Sequence, residues 1–136
     1  MFVWGHGPTL GLGPQTLNVR QPTIIPPPLF GRNEFNEHVR VTSICAGFVH
    51  SSAINSTGDV FTWGSNNSGC LGLGLGKQQK HQFFPLKVYN LSVHILHGTI
   101  AYDDVIFCFL QVCLNGTARK VALGVDHTII LCTGSF

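Results

Sequence analysis

Apolar and polar residues alternate in short runs most clearly between Val41 and Gly74. Residues 41–46, 51–55 and 59–63 are β-prone, and each run is too short for a globular helix. Gly47-Phe48-Val49-His50 and Asn55-Ser56-Thr57-Gly58 separate them with residues suited to tight turns. This order predicts three antiparallel strands. Asn66-Asn67-Ser68-Gly69 makes a further turn, and Pro26-Pro27-Pro28 predicts a stiff extended connector.

Pieces of this stretch recur on both sides. Phe2-Val3-Trp4-Gly5 followed by Leu10-Gly11 matches Phe61-Thr62-Trp63-Gly64 followed by Leu71-Gly72. Ile44-Cys45-Ala46-Gly47-Phe48-Val49-His50-Ser51 is echoed by Val121-Ala122-Leu123-Gly124-Val125-Asp126-His127-Thr128. Pro22-Thr23-Ile24-Ile25 and Pro85-Leu86-Lys87-Val88 form a weaker third pair. The chain therefore runs almost twice through one unit, which changes the expected fold from an ordinary domain to a repeat architecture. The stretch between Pro85 and Gly124 is longer than that between Pro22 and Gly47, so an irregular insertion falls within residues 89–118. The units read as 1–40, the end of a first repeat with its connector; 41–88, one nearly complete repeat; 89–118, the insertion; and 119–136, the start of a further repeat.

Composition agrees with many short strands. Of 136 residues, 44% are hydrophobic and only 10% charged, while 16 Gly and 7 Pro punctuate the chain. A net charge of +2 without a basic run indicates neither a nucleic-acid groove nor attachment to an anionic membrane. The amino terminus lacks a basic region followed by a long apolar one, and the longest apolar run, residues 105–114, is about half a bilayer span. The expectation is a soluble protein, cytoplasmic or nuclear. Five cysteines without Cys-x-x-Cys spacing read as free thiols in a reducing compartment.

Gly47-x-x-His50-Ser51, followed by Gly58-Asp59-Val60-Phe61-Thr62-Trp63-Gly64-Ser65-Asn66-Asn67-Ser68-Gly69-Cys70-Leu71-Gly72, resembles the repeat of the regulator of chromosome condensation family. The resemblance implies an all-β fold, a β-propeller whose seven blades are four-stranded antiparallel sheets packed around a channel. This chain can supply only two to three blades, so it is expected to be a fragment, an isoform or an incomplete gene model. A short run of blades is also expected to leave an apolar flank open. Trp4, Gly5, Gly11, Gly47, His50, Gly58, Trp63, Gly64, Gly69, Leu71, Gly72, Gly124 and His127 then read as structural repeat positions, with the tryptophans packing between blades and the histidines bonding at blade turns.

No catalytic constellation emerges. Gly72-Leu73-Gly74-Leu75-Gly76-Lys77 lacks both the first glycine and the hydroxyl residue of a phosphate loop. His94 and His97 near Asp103 and Asp104 lack a third metal ligand at convincing spacing. Ser51 and His50 are neighbours on a strand and point to opposite faces, so they are not a nucleophile and its base. The Asn-x-Ser/Thr sequences at Asn55, Asn66, Asn90 and Asn115 read as turns. Neither cofactor nor metal is expected. The family resemblance implies a protein-interaction scaffold whose propeller loops bind a partner: a small GTPase, a ubiquitin-pathway component or a chromatin component. The alternatives are a guanine-nucleotide exchange factor for a small GTPase or a truncated product without independent activity.

Overall fold

The computed structural model of the chain describes residues 1–16, 18–67, 69–73, 79–89 and 117–133. Nearly the whole of the 89–118 insertion, including His94, His97, Asp103 and Asp104, lies outside the described residues, as do residues 74–78 of the glycine-rich stretch, Asn90, Asn115, Cys108 and Cys113.

Among the described residues, eight strands form three antiparallel sheets. Strands β1 (Phe2–His6) and β2 (Asn18–Ile24) pair with each other. Strands β3 (Val41–Ala46), β4 (His50–Asn55), β5 (Val60–Ser65) and β6 (His81–Lys87) form a four-stranded meander in chain order. Strands β7 (Thr117–Leu123) and β8 (Thr128–Thr133) form a second pair. The architecture is all-β, a whole blade flanked by two halves.

The sequence repeats become structural ones. The β1 to β2 pair repeats β5 to β6, and the β7 to β8 pair repeats β3 to β4. Even the irregularities coincide: pairing slips between Val3 and Gly5 as between Thr62 and Gly64, and between Ala118 and Lys120 as between Val41 and Ser43. At the first two slips the two extra residues lie on β2 and β6, around Pro22 and Pro85, and at the other two slips one extra residue lies on β7 and β3; such irregularities bend the strand that carries them.

Side-chain alternation gives the central blade two buried faces. Ala53, Phe61 and Trp63 share one face and pack with Ile25 and Phe30 against the β1–β2 half-blade. Ile54 and Val60 share the other and pack with Val88 and Ala118 against the β7–β8 half-blade. All six residues of β5 are consequently buried. Phe30 sets its ring edge-on to Phe61 and Trp63, at centroid distances of 5.5 and 6.1 Å.

One expectation is corrected. Pro26-Pro27-Pro28 is not an extended connector throughout; Pro27–Phe30 is a turn of 3-10 helix, with Leu29 donating to the Pro26 carbonyl at 3.1 Å. The proline φ suits this helix as well as it suits polyproline II, and burial of Phe30 selects the helix.

Candidate functional site

His50 and Thr128, both buried, meet between the central blade and the β7–β8 half-blade. His50 is 1% exposed at the start of β4. Its Nε2 lies 3.0 Å from Thr128 Oγ1, and that hydroxyl donates to the Cys70 carbonyl at 2.8 Å. A hydroxyl has one proton, so Thr128 accepts from His50, and Nε2 carries the imidazole hydrogen. His50 Nδ1 is then a buried acceptor without a partner. Burial pushes the His50 pKa below its ordinary 6.5, partly opposed by the nearby His127 carbonyl. Cys70 donates its thiol hydrogen to the Ser65 carbonyl, and burial raises its pKa. It is a buried structural thiol, poorly suited to act as a nucleophile.

The two tryptophans occupy equivalent positions, opposite the bulges of β2 and β6, in unlike surroundings. Gly5 and Gly64 follow them with φ of 121° and 113°, a conformation that side chains disfavour, so glycine after each tryptophan lets β1 and β5 take the same backbone course opposite the bulges of β2 and β6. Trp63 is 2% exposed between the central blade and the β1–β2 half-blade. Trp4 is 62% exposed, because no described blade covers its face. Gly11 has φ of 79°, and a Cβ there would stand 2.9 Å from Trp63 Nε1, so the indole lies directly on the backbone of the preceding unit. Leu71 is fully buried, and Gly69 and Gly72 shape the turn before and after it.

The remaining repeat positions sit in turns. Gly47 donates to the His50 carbonyl and Gly124 to the His127 carbonyl, both at 2.9 Å, so the β3–β4 and β7–β8 turns match. His127 is nevertheless exposed, and its Nδ1 meets the Asp126 carboxylate at 3.2 Å. The carbonyl of Gly58 accepts from Ala118 at 3.2 Å, tying the β4–β5 turn to β7.

Asn55 proved more important than its place in a turn implies. Its Oδ1 accepts from the Thr57 and Asp59 amides at 3.0 and 2.9 Å, and its Nδ2 donates to the Phe30 carbonyl at 3.0 Å. The side chain faces inward, which makes it a joint between units. Asp59 takes an ion pair from Lys87 at 2.8 Å. Burial alone would raise the Asp59 pKa, but the hydrogen bonds from Lys87 and Thr57 and the Lys87 charge hold it below the ordinary value.

With these groups engaged in packing, the exposed chemistry lies at turn tips and open flanks. Phe48 and Val125, at equivalent tips, are both exposed on the same end of the blades. A cleft of about 480 Å³ lies between β1 and the Trp63 face of the central blade, lined by Val3, Thr9, Ile44, Ser51 and Trp63 among others. Among the described residues, no group of three or more His, Cys, Asp or Glu is placed to hold a metal ion, and no helix is long and apolar enough to cross a membrane.

The regulator of chromosome condensation (RCC1) repeat matches residues 57–100, and a second form of it matches residues 41–70. The chain is 46% identical over 131 residues to a mouse "RCC1-like G exchanging factor-like protein" and 43% identical to the human protein of that name, covering 96% of this chain and 22% of each relative. Among solved structures, human WBSCR16 superposes with a TM-score of 0.73 at 34% identity, covering 98% of this chain and 26% of that one. Prp20p from Saccharomyces cerevisiae, described with its binding to Gsp1p and histones, superposes with a TM-score of 0.50 at 29% identity over 65% of this chain and 19% of its own. The chain thus spans about a fifth to a quarter of the length of these proteins.

Proposed function

Over residues 41–100 this chain belongs to the regulator of chromosome condensation repeat family, and on that premise we propose that it is a protein-interaction scaffold whose propeller turns bind a protein partner. The observation that carries this reading is the division of labour along the repeat. In the central blade the repeated residues His50, Trp63 and Leu71 are buried in the packing between units, while equivalent turn tips on one end, at Phe48 and Val125, present apolar side chains to solvent. Exposed apolar residues gathered on one face are what protein partners use.

On this reading the thirteen repeat positions are structural, and the units keep the boundaries 1–40, 41–88, 89–118 and 119–136. Candidate partners are a small GTPase, a chromatin component or a ubiquitin-pathway component, met in the cytoplasm or nucleus. The names of the mouse and human relatives and the binding of Prp20p to Gsp1p and histones favour the first two. The same names support a second reading, guanine-nucleotide exchange. Release of a fluorescent guanine nucleotide from a panel of small GTPases, with binding followed in parallel, distinguishes them. Binding without faster release supports the scaffold, and accelerated release supports exchange. Absence of binding to GTPases, histones and ubiquitin-pathway proteins alike overturns both.

A further inference from the structure

The connection from β2 to β3 is pinned at both ends and exposed between them. Phe30 and Val39 are buried, and of residues 31–40 only Val39 is not exposed. At one end Asn55 Nδ2 donates to the Phe30 carbonyl at 3.0 Å. At the other, the Ser56 amide donates to the Arg40 carbonyl at 2.8 Å and the Arg40 amide to Ser56 Oγ at 3.3 Å. Two successive turns shape the span. Asn36 donates to the Asn33 carbonyl at 3.0 Å and Val39 to the Asn36 carbonyl at 3.1 Å, while the Asn33 side chain accepts from the Phe35 amide at 2.9 Å. These bonds hold Phe35 at the apex, where it is 84% exposed, more than any other large apolar residue among those described.

We propose that this loop is a docking surface for a protein partner, with Phe35 entering an apolar pocket whose rim carries lysine or arginine side chains that meet Glu34 and Glu37. A single exposed apolar residue is ordinary on a protein surface. Phe35 differs in its surroundings. The chain is only 10% charged, yet residues 32–40 carry Arg32, Glu34, Glu37 and Arg40. Among the described residues neither Glu34 nor Glu37 takes part in a hydrogen bond or an ion pair. Arg32 and Arg40 stand at the base of the loop and line the cleft beside Phe30 and Val41, which leaves the carboxylates at the apex unneutralised.

The ring and the carboxylates divide the work of recognition. Burying an aromatic anchor supplies affinity, and a loop already shaped by its own hydrogen bonds loses little further freedom on binding. The carboxylates supply selection, since a partner with an acidic rim is repelled by Glu34 and Glu37 and one with a basic rim is attracted. Packing within the chain gives Phe35 no task, for it belongs to neither apolar cluster. The loop lies between two described strands and away from either end of the chain. It also enters β3 at the end opposite Phe48, so the surface is separate from the turn tips of the scaffold reading and does not depend on them.

A photoactivatable phenylalanine analogue at position 35, irradiated in cell extract, tests the proposal once mass spectrometry has located the cross-link and the captured protein has been purified and titrated with variants. The expected cross-link falls among apolar residues flanked by lysine or arginine. Phe35→Ser is expected to weaken binding of that purified protein about 30-fold or more. Glu34→Gln combined with Glu37→Gln weakens it at low salt and flattens its salt dependence, whereas Phe48→Ser leaves it unchanged. Because position 35 is exposed, thermal melts of Phe35→Ser match those of the wild type. A cross-link no stronger than that from the same analogue at exposed Gln21 overturns the proposal. So does a captured protein that binds Phe35→Ser as tightly as wild type, or one whose contact segment is acidic. Loss of binding in Phe48→Ser with none in Phe35→Ser assigns the partner to the turn tips and likewise overturns it.

Discussion

His50 Nε2 and Thr128 Oγ1, 78 positions apart in the chain, meet at 3.0 Å inside the joint between the central blade and the β7–β8 pair. Because Thr128 passes its own hydrogen to Cys70, a single hydroxyl connects three strands or turns from two blades. Removing it leaves a donor and an acceptor buried without partners. Thr128→Val is therefore expected to destabilise the chain by about 1–3 kcal/mol, whereas Thr128→Ser retains most of the stability. Urea unfolding of the three proteins measures the difference.

The same histidine gives the joint a pH dependence. Its folded pKa lies below the ordinary 6.5, so the unfolded chain binds more protons in the interval between the two values. The stability it contributes is complete above about pH 6.5 and is lost as the pH falls through the lowered folded value. Denaturation midpoints should decline over that interval, and His50→Gln should flatten the decline. Asp59 acts separately. Its lowered pKa places its contribution above the ordinary 3.8, to be lost only in stronger acid.

Equivalent tryptophans should respond unequally. Trp63→Ala removes a 2% exposed indole from the core and is expected to cost about 3–5 kcal/mol. Trp4→Ala, at a site 62% exposed, should change monomer stability by no more than about 0.5 kcal/mol. Thermal melts of dilute samples provide the comparison.

Two glycines separate backbone strain from crowding. Gly5→Ala incurs only the backbone cost of about 1–3 kcal/mol, since nothing lies within 4 Å of the added Cβ. Gly11→Ala adds a clash with Trp63 Nε1 and Ile25 to a similar strain, and overpacking of this kind contributes roughly another 1–3 kcal/mol. The Gly11 variant should also shift the Trp63 emission spectrum, and the Gly5 variant should not.

Asn55→Ala deprives two amides and the Phe30 carbonyl of their partner at a buried site. A loss of about 1–3 kcal/mol is expected, seen as a lower unfolding midpoint.

Much of the fold is legible in the primary structure. The turn residues at 47–50 and 55–58 and the short runs between them mark β3, β4 and β5 to within two residues, because strand and turn preferences act locally. The 3-10 turn at Pro27–Phe30 was not legible, since proline fixes φ without choosing between the two helices and the choice falls to the burial of Phe30. The importance of Asn55, Thr62 and Thr128 was hidden for a similar reason. A polar residue in a strand looks solvent-facing until a neighbouring blade buries it. Thr62, for example, donates to the Leu71 carbonyl at 2.7 Å within the core.

The sequence by itself determined the repeating unit: which glycines turn, which tryptophan follows which strand, and which residues of one copy answer to those of another. Tertiary structure alone decided what each copy's residue does. Trp4 and Trp63 hold one strand position, and His50 and His127 one turn position, yet one member of each pair is buried and the other lies open. Local sequence sets the backbone, but burial belongs to whichever blade stands next to it, and that neighbour is brought there by residues far along the chain.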